Sequence, residues 1–167
     1  MIRASAGALG LPESLLDYPA DTTRAIASLH YSNTFARTPD VRYVLAHAGG
    51  TVPYLAGRFG IIDEMNIIRG AEARASAAET FRRLYWDTAL SWGDPVLRML
   101  RDVVGLDRVL FGSDYPYLRR DLAVSCREHI EASPELASSD RTAIVGVTAT
   151  KLIPRLASLR TQFTGIR

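Results

Sequence analysis

Short apolar runs alternate with longer amphipathic segments along this chain, and no internal repeat or low-complexity tract interrupts them. Val41-Arg42-Tyr43-Val44-Leu45-Ala46 is rich in β-formers and ends at His47, which predicts a strand. Leu84-Tyr85-Trp86-Asp87-Thr88 predicts a second, and Arg108-Val109-Leu110-Phe111-Gly112, ending at Ser113-Asp114, a third. Between them lie helical patterns. One is expected to start at Asp21, which can cap it, with Ile26, Leu29 and Asn33 on one side and Pro39-Asp40 as its stop. A second begins after the Gly49-Gly50 turn, with Thr51 as cap and Pro53 in the first turn, where proline is tolerated.

Residues 61 to 83, rich in Ala, Glu and Arg, read as helical. Asp94-Pro95 opens the next helix, whose apolar stripe is Val96, Leu100, Val103 and Val104 and whose end is Gly105. Two more helices are expected over about 117–131 and 140–158. Residues 1 to 20 hold Gly7, Gly10, Pro12 and Pro19 and read as irregular.

Strands alternating with helices predict an α/β fold with a parallel sheet and helical crossovers. Closing a (β/α) barrel takes eight strands. Three predict an open sheet or a partial barrel, within one domain over residues 1 to 167.

Composition narrows the partners. Of 167 residues, 20 are basic and 18 acidic, a net charge of +2 that offers no strong field to nucleic acid or an anionic membrane. Lys151 is the single lysine; the arginines are scattered, with Arg82-Arg83 and Arg119-Arg120 the densest spots. No stretch approaches the ~20 apolar residues of a membrane span, and the N-terminal residues lack a secretory pattern. One cysteine, Cys126, precludes an internal disulfide and fits a reducing, cytoplasmic setting.

Two polar residues fall just past the C-terminal ends of strands, where α/β enzymes place their chemistry: His47 and Asp114. An imidazole and a carboxylate suit zinc or a related divalent ion, and they also suit proton transfer. Each has an ordinary reading beside that one, since a strand-end histidine can bond a loop and an aspartate before Tyr-Pro can stabilise a turn. Two residues do not complete a metal site, which takes about four ligands or three plus water.

The segment Ala46-His47-Ala48-Gly49-Gly50-Thr51-Val52-Pro53-Tyr54-Leu55-Ala56-Gly57-Arg58 resembles the sixth-strand motif of the amidohydrolase-related family. Leu110-Phe111-Gly112-Ser113-Asp114-Tyr115-Pro116-Tyr117 is similar to its eighth-strand motif, and Leu84 to Ala89 to its seventh strand. Asp21 to Ala25 resembles the helix before strand six, so the likeness runs in order from about residue 21 to 157. The family includes aminocarboxymuconate-semialdehyde decarboxylase and decarboxylases of γ-resorcylate and 6-methylsalicylate. The phrasing around His47 looks nearest the 6-methylsalicylate branch.

The resemblance implies that Asp114 binds the metal or its water, and that His47 stands beside the metal and polarises water or moves a proton. It implies a divalent ion, zinc first and manganese second, and a small carboxylic acid as substrate. The implied function is a metal-dependent decarboxylase of an aromatic or unsaturated acid. A lactone or amide hydrolase on the same scaffold is one alternative, and an inactive remnant that binds or assembles is another. Members carry a His-x-His pair on the first strand, and many a further histidine on the fifth, neither of which this chain has. An asparagine common in the family's last helical region is Thr148 here. The chain therefore resembles strands six to eight with their helices. The implied partner is a second copy of the chain or a complementary N-terminal half.

Other residues carry less. Asp87, at its strand end, is a candidate to contact substrate, with a turn or cap role weighing equally. Arg119 is a candidate for a substrate carboxylate, against a solvated surface charge, and Arg24 and Arg58 read as surface charges. Tyr115, Tyr117 and Trp92 are candidate walls of an aromatic pocket, or core. His30 and His129 read as packed or half-exposed helix residues, and Cys126 as packing rather than a nucleophile.

Overall fold

A computed structural model describes residues 5–65 and 75–157. At its centre lie three parallel strands: β1 (Val44–Leu45), β2 (Tyr85–Asp87) and β3 (Val109–Leu110), side by side in sequence order. Val44 pairs with Tyr85 and Leu45 with Trp86; Trp86 then pairs with Val109 and Asp87 with Leu110. All three expected strands are present, each shorter than its apolar run. The sheet is parallel, as the alternating pattern required.

The helices are α1 (Glu13–Tyr31), α2 (Thr34–Arg37), α3 (Val52–Glu64), α4 (Ala77–Arg83), α5 (Asp94–Val103), α6 (Arg120–Ala132), α7 (Ser138–Thr142) and α8 (Thr148–Leu152). A π-helical turn over Ala143–Val147 joins the last two. Helices α3 and α4 make the crossover from β1 to β2, and α5 the crossover from β2 to β3.

Helix α1 corrects the sequence reading. It begins at Glu13, not Asp21, and runs through Pro19. The proline lacks the N–H that would reach the Leu15 carbonyl, but Leu15 is exposed, so water can satisfy that group. The Pro19 carbonyl in turn accepts the Thr23 hydroxyl at 2.7 Å. The expected stop at Pro39 is approached in two steps, because Asn33 turns left-handed (φ 63°) and starts the short α2.

Two caps also differ. Thr51 precedes α3 without capping it; its hydroxyl instead bonds that of Thr23 at 2.9 Å. Asp94 is the first residue of α5 and Gly93 its cap, while the Asp94 carboxylate accepts from Ser133 at 2.7 Å. The helical stretch expected over 61–83 divides into the end of α3 and α4, and residues 66–74 between them lie outside the described residues. Ser76 and Glu79 form a reciprocal capping box that starts α4.

The core sits between sheet and helices. Trp86, at the middle of the central strand, is fully buried, with its indole N–H donating to the Phe81 carbonyl at 3.1 Å. Leu97, Leu100, Val109, Ile130 and Ile144 are equally buried. Each such side chain contributes about 1.5–3 kcal/mol by leaving water. Leu97 and Leu100 are the fully buried members of the α5 face, and Val96 is half-buried. Helix α6 ties to this core through Cys126 and Ile130.

Candidate active site

The carboxyl ends of the three strands share one backbone feature. His47 follows β1 with φ 54°, Leu90 follows β2 with φ 50°, and Asp114 follows β3 with φ 58°. Left-handed backbone is uncommon outside glycine and costs on the order of 1–3 kcal/mol where a side chain is present. All three residues line the same open cleft of about 1060 Å³. Strain of this kind clusters where chemistry is done. Here it sits where the fold class places a site, at the C-terminal face of a parallel sheet.

The turn after β1 is left-handed throughout, since Ala48, Gly49 and Gly50 also have positive φ. Two glycines are required there by space as well as by φ. A β-carbon at Gly50 would stand 2.2 Å from the Pro19 carbonyl oxygen, so the turn packs directly on α1. The Thr51 N–H donates to Thr23 Oγ1 at 2.9 Å and fastens the same junction.

His47 is half-buried and its ring orientation is fixed. Nδ1 lies 3.0 Å from the Ala89 carbonyl oxygen. A carbonyl only accepts, so Nδ1 carries the proton, and in the neutral ring Nε2 keeps its lone pair. That nitrogen can take a proton or bind a cation.

Asp114 lines the same cleft, at the head of the Tyr-Pro turn. The structure thus brings together the two residues that the sequence singled out. Among the described residues, however, no group of three or more His, Cys, Asp or Glu side chains converges to hold a metal. One imidazole and one carboxylate match zinc or manganese in donor type, but a closed shell needs further ligands beyond those described.

Asp87 takes the second of its two sequence readings, a loop contact. It does not line the cleft. Its Oδ1 accepts the N–H of His47 at 2.8 Å and that of Ala89 at 3.0 Å, which engages that oxygen with backbone. Burial pushes its carboxyl above the usual aspartate range, with the Asp114 charge adding slightly; the two N–H bonds and His47 oppose this. Gly112 makes room for it, because a β-carbon there would stand 3.0 Å from the Asp87 Cγ.

Arg119 takes the surface reading that was weighed against a substrate contact. Its guanidinium is highly exposed and forks onto Asp121, with contacts of 3.2 and 2.8 Å, so its charge is directed at its own helix start and away from the cleft. Of the three candidate aromatics, Tyr117 lines the cleft. Tyr115 borders a separate depression, and Trp92 packs edge-on against His129 at 5.0 Å. His129 meets Asp94 at 3.0 Å, and His30 is buried against Tyr31, Phe59 and Phe81, so neither reaches the cleft.

The remaining walls were not anticipated. Pro12, Leu15, Tyr18 and Pro19 come from the start of α1, and Leu90 and Leu118 from the loops after β2 and β3. They make the cleft predominantly apolar around one imidazole and one carboxylate. Apolar Leu15 and Tyr18 in a segment read as irregular were the available signal.

Comparison with known proteins gives the chain relatives. The family model described as amidohydrolase matches residues 2–155. The 6-methylsalicylic acid decarboxylase of Penicillium expansum is 33% identical over 152 residues, which is 89% of this chain and 46% of that protein. The 2-amino-3-carboxymuconate-6-semialdehyde decarboxylase of Dictyostelium discoideum is 25% identical over 147 residues, 83% of this chain and 38% of that one. Among solved structures, a 5-carboxyvanillate decarboxylase of Novosphingobium aromaticivorans, complexed with manganese and 4-hydroxy-3-methoxy-5-nitrobenzoic acid, superposes with TM-score 0.74. It is 16% identical and covers 89% of this chain and 43% of its own, a likeness of fold. The chain spans less than half the length of the proteins it matches here.

Proposed function

The chain belongs to the amidohydrolase family, and from that premise we propose that it contributes part of the active site of a metal-dependent decarboxylase of a small aromatic or unsaturated carboxylic acid. The observation that carries the proposal is the convergence of His47 and Asp114 on one apolar-walled cleft, with His47 held in the tautomer that leaves Nε2 its lone pair. The three strands correspond in this reading to strands six to eight of a (β/α)₈ barrel. Further metal ligands come from a second copy of the chain or from a complementary polypeptide.

In decarboxylation the bond between the ring carbon and the carboxylate carbon breaks, CO₂ leaves, and the electron pair stays on the ring carbon. A proton then completes that carbon. His47 Nε2, once protonated, is placed to deliver it. Leu15, Tyr18, Leu90 and Leu118 offer an apolar wall for the ring of the acid. A divalent ion, zinc or manganese, held by Asp114 with His47 beside it, would grip the substrate oxygens and offset their negative charge. Asp114 is the group that orients such a centre from the β3 side.

A second reading rests on the donor count: with no third ligand among the described residues, the chain alone binds or assembles without turnover. Metal content of the purified chain by plasma mass spectrometry, with CO₂ release from 6-methylsalicylate, separates the two. The decarboxylase reading expects about one divalent ion per chain, lost in Asp114→Ala, and turnover lowered about 10²–10⁴-fold in His47→Gln. Absence of both ion and turnover in the intact chain supports the second reading.

A further inference from the structure

We propose that Asp87 is the positioning residue for His47, setting its tautomer and orientation through the backbone of Ala89. This rests on the reading of His47 as the residue that moves a proton.

The geometry is a closed circuit. One oxygen, Asp87 Oδ1, accepts from the backbone N–H of His47 at 2.8 Å and from that of Ala89 at 3.0 Å. The carbonyl of the same Ala89 accepts from His47 Nδ1 at 3.0 Å. The carboxylate therefore fixes both ends of the bond that defines the imidazole. It holds the main chain from which the ring hangs, and it holds the residue whose carbonyl receives the ring's proton.

Asp87 is well placed for this because it ends the central strand, between the ends of β1 and β3. A hydrogen bond to an ionised acceptor is about twice as strong as one between neutral groups, and this one is doubled. It acts on backbone that needs support. His47 has φ 54°, and a strained conformation persists only where its surroundings over-determine it. Asp87 supplies that constraint from one side, and the packing of Gly50 on Pro19 supplies it from the other.

The neighbours of Asp87 are arranged around the same task. Gly112 leaves space for the carboxylate, since a β-carbon would also come within 3.1 Å of the Ala89 nitrogen. The Gly112 N–H donates to Thr88 Oγ1 at 3.1 Å, which fixes β3 against the strand end that carries Asp87. Thr88 and Ala89 are both buried, so the Ala89 carbonyl has little freedom once Asp87 holds its N–H.

An aspartate at this point acts on the reaction without touching substrate. It makes Nδ1 the protonated nitrogen and keeps Nε2 as the one that exchanges a proton in the cleft. The same support of a ligating or proton-moving histidine by a second residue is a general device, and its loss costs about 10–100-fold in affinity or activity.

Nitrogen-15 NMR of the histidine-labelled full chain tests this directly. The chain has three histidines, and the His47 signal is assigned by its disappearance in His47→Gln. The expected result is a single Nδ1–H tautomer for wild type above the histidine titration range. Asp87→Asn, which retains an oxygen acceptor, should keep that tautomer. Asp87→Ala should shift His47 to a mixture of tautomers, the preference falling about tenfold or more, while His30 and His129 are unmoved. Should Asp87→Ala not fold, as judged by circular dichroism, Asp87→Ser, whose side chain is too short to span both N–H groups, is read in the same way. A wild-type His47 that is not Nδ1–H, or an unchanged His47 tautomer in a folded variant lacking the acceptor, overturns the proposal. The measurement needs neither metal nor substrate. Failed decarboxylation alongside the expected tautomer pattern would therefore count against the functional reading and leave this one standing.

Discussion

A β-carbon on Gly49 would stand 2.3 Å from Cζ3 of Trp86. The turn that presents His47 is thus laid flat against the largest buried side chain of the core, with no space between them. Gly49 also has φ 70°, a conformation that L side chains rarely adopt. Gly49→Ala should therefore destabilise by about 2–5 kcal/mol, the sum of overpacking and a left-handed alanine. Urea denaturation followed by Trp fluorescence measures the loss. A midpoint within error of wild type would mean that the turn does not bear on Trp86.

The junction of α1 with this turn depends on one hydroxyl. Thr23 Oγ1 donates to Pro19 O and accepts from Thr51 N, and it also meets Thr51 Oγ1. Thr23→Val keeps the shape and strands the Thr51 N–H, at a cost of about 1–3 kcal/mol. On the proposed decarboxylase reading, α1 carries Leu15 and Tyr18 into the substrate cleft, so the same variant should raise KM for the acid more than it lowers kcat. An equal fall in kcat with unchanged KM would show that α1 does not bind the substrate.

Asp94 gives the expected pH dependence. Its carboxyl is held below the usual aspartate range, first by the Ser133 hydroxyl and then by His129. A depressed native pKa contributes stability that is present above the unfolded pKa and lost as pH falls through the native value. Ser133→Ala should therefore be less stable than wild type at neutral pH. The gap should close as the pH is lowered from the ordinary aspartate range through the native Asp94 value. Thermal midpoints by circular dichroism across that range give the curve, and a gap independent of pH would contradict it.

Cys126 is buried, and that burial pushes its thiol pKa up. Thiolate is the reactive form, so a neutral disulfide reagent should label the native chain only as fast as it opens, and label it promptly in urea. Prompt native labelling would place Cys126 at the surface and contradict the packing of α6.

His47 and Asp114 were legible in the sequence because the signal was local: an apolar run, a polar residue at its end, and glycines beside it. The same holds for the three strands and their parallel order. Asp87 was visible as a residue but not as a partner, because its bonds reach across 40 positions to His47 and depend on register. Arg119 takes the surface reading weighed for it in the sequence, since Asp121 lies two residues away and takes its fork. Helix α1 was misread at its start because Pro19 suggests a break, whereas the helix runs through it at a turn where Leu15 is exposed. Left-handed backbone at Leu90 has no signature in composition or period, because it follows from how three strand ends meet.

The three non-glycine residues that end the strands with positive φ put durability and chemistry in opposition. At His47, Leu90 and Asp114, glycine would relieve the backbone, and in each case it would remove a side chain from the cleft. Selection for heat tolerance alone would find these positions early and would produce a hardier chain with a blank face. On the proposed reading, the left-handed backbone at these three strand ends is what the side chains in the cleft cost the fold.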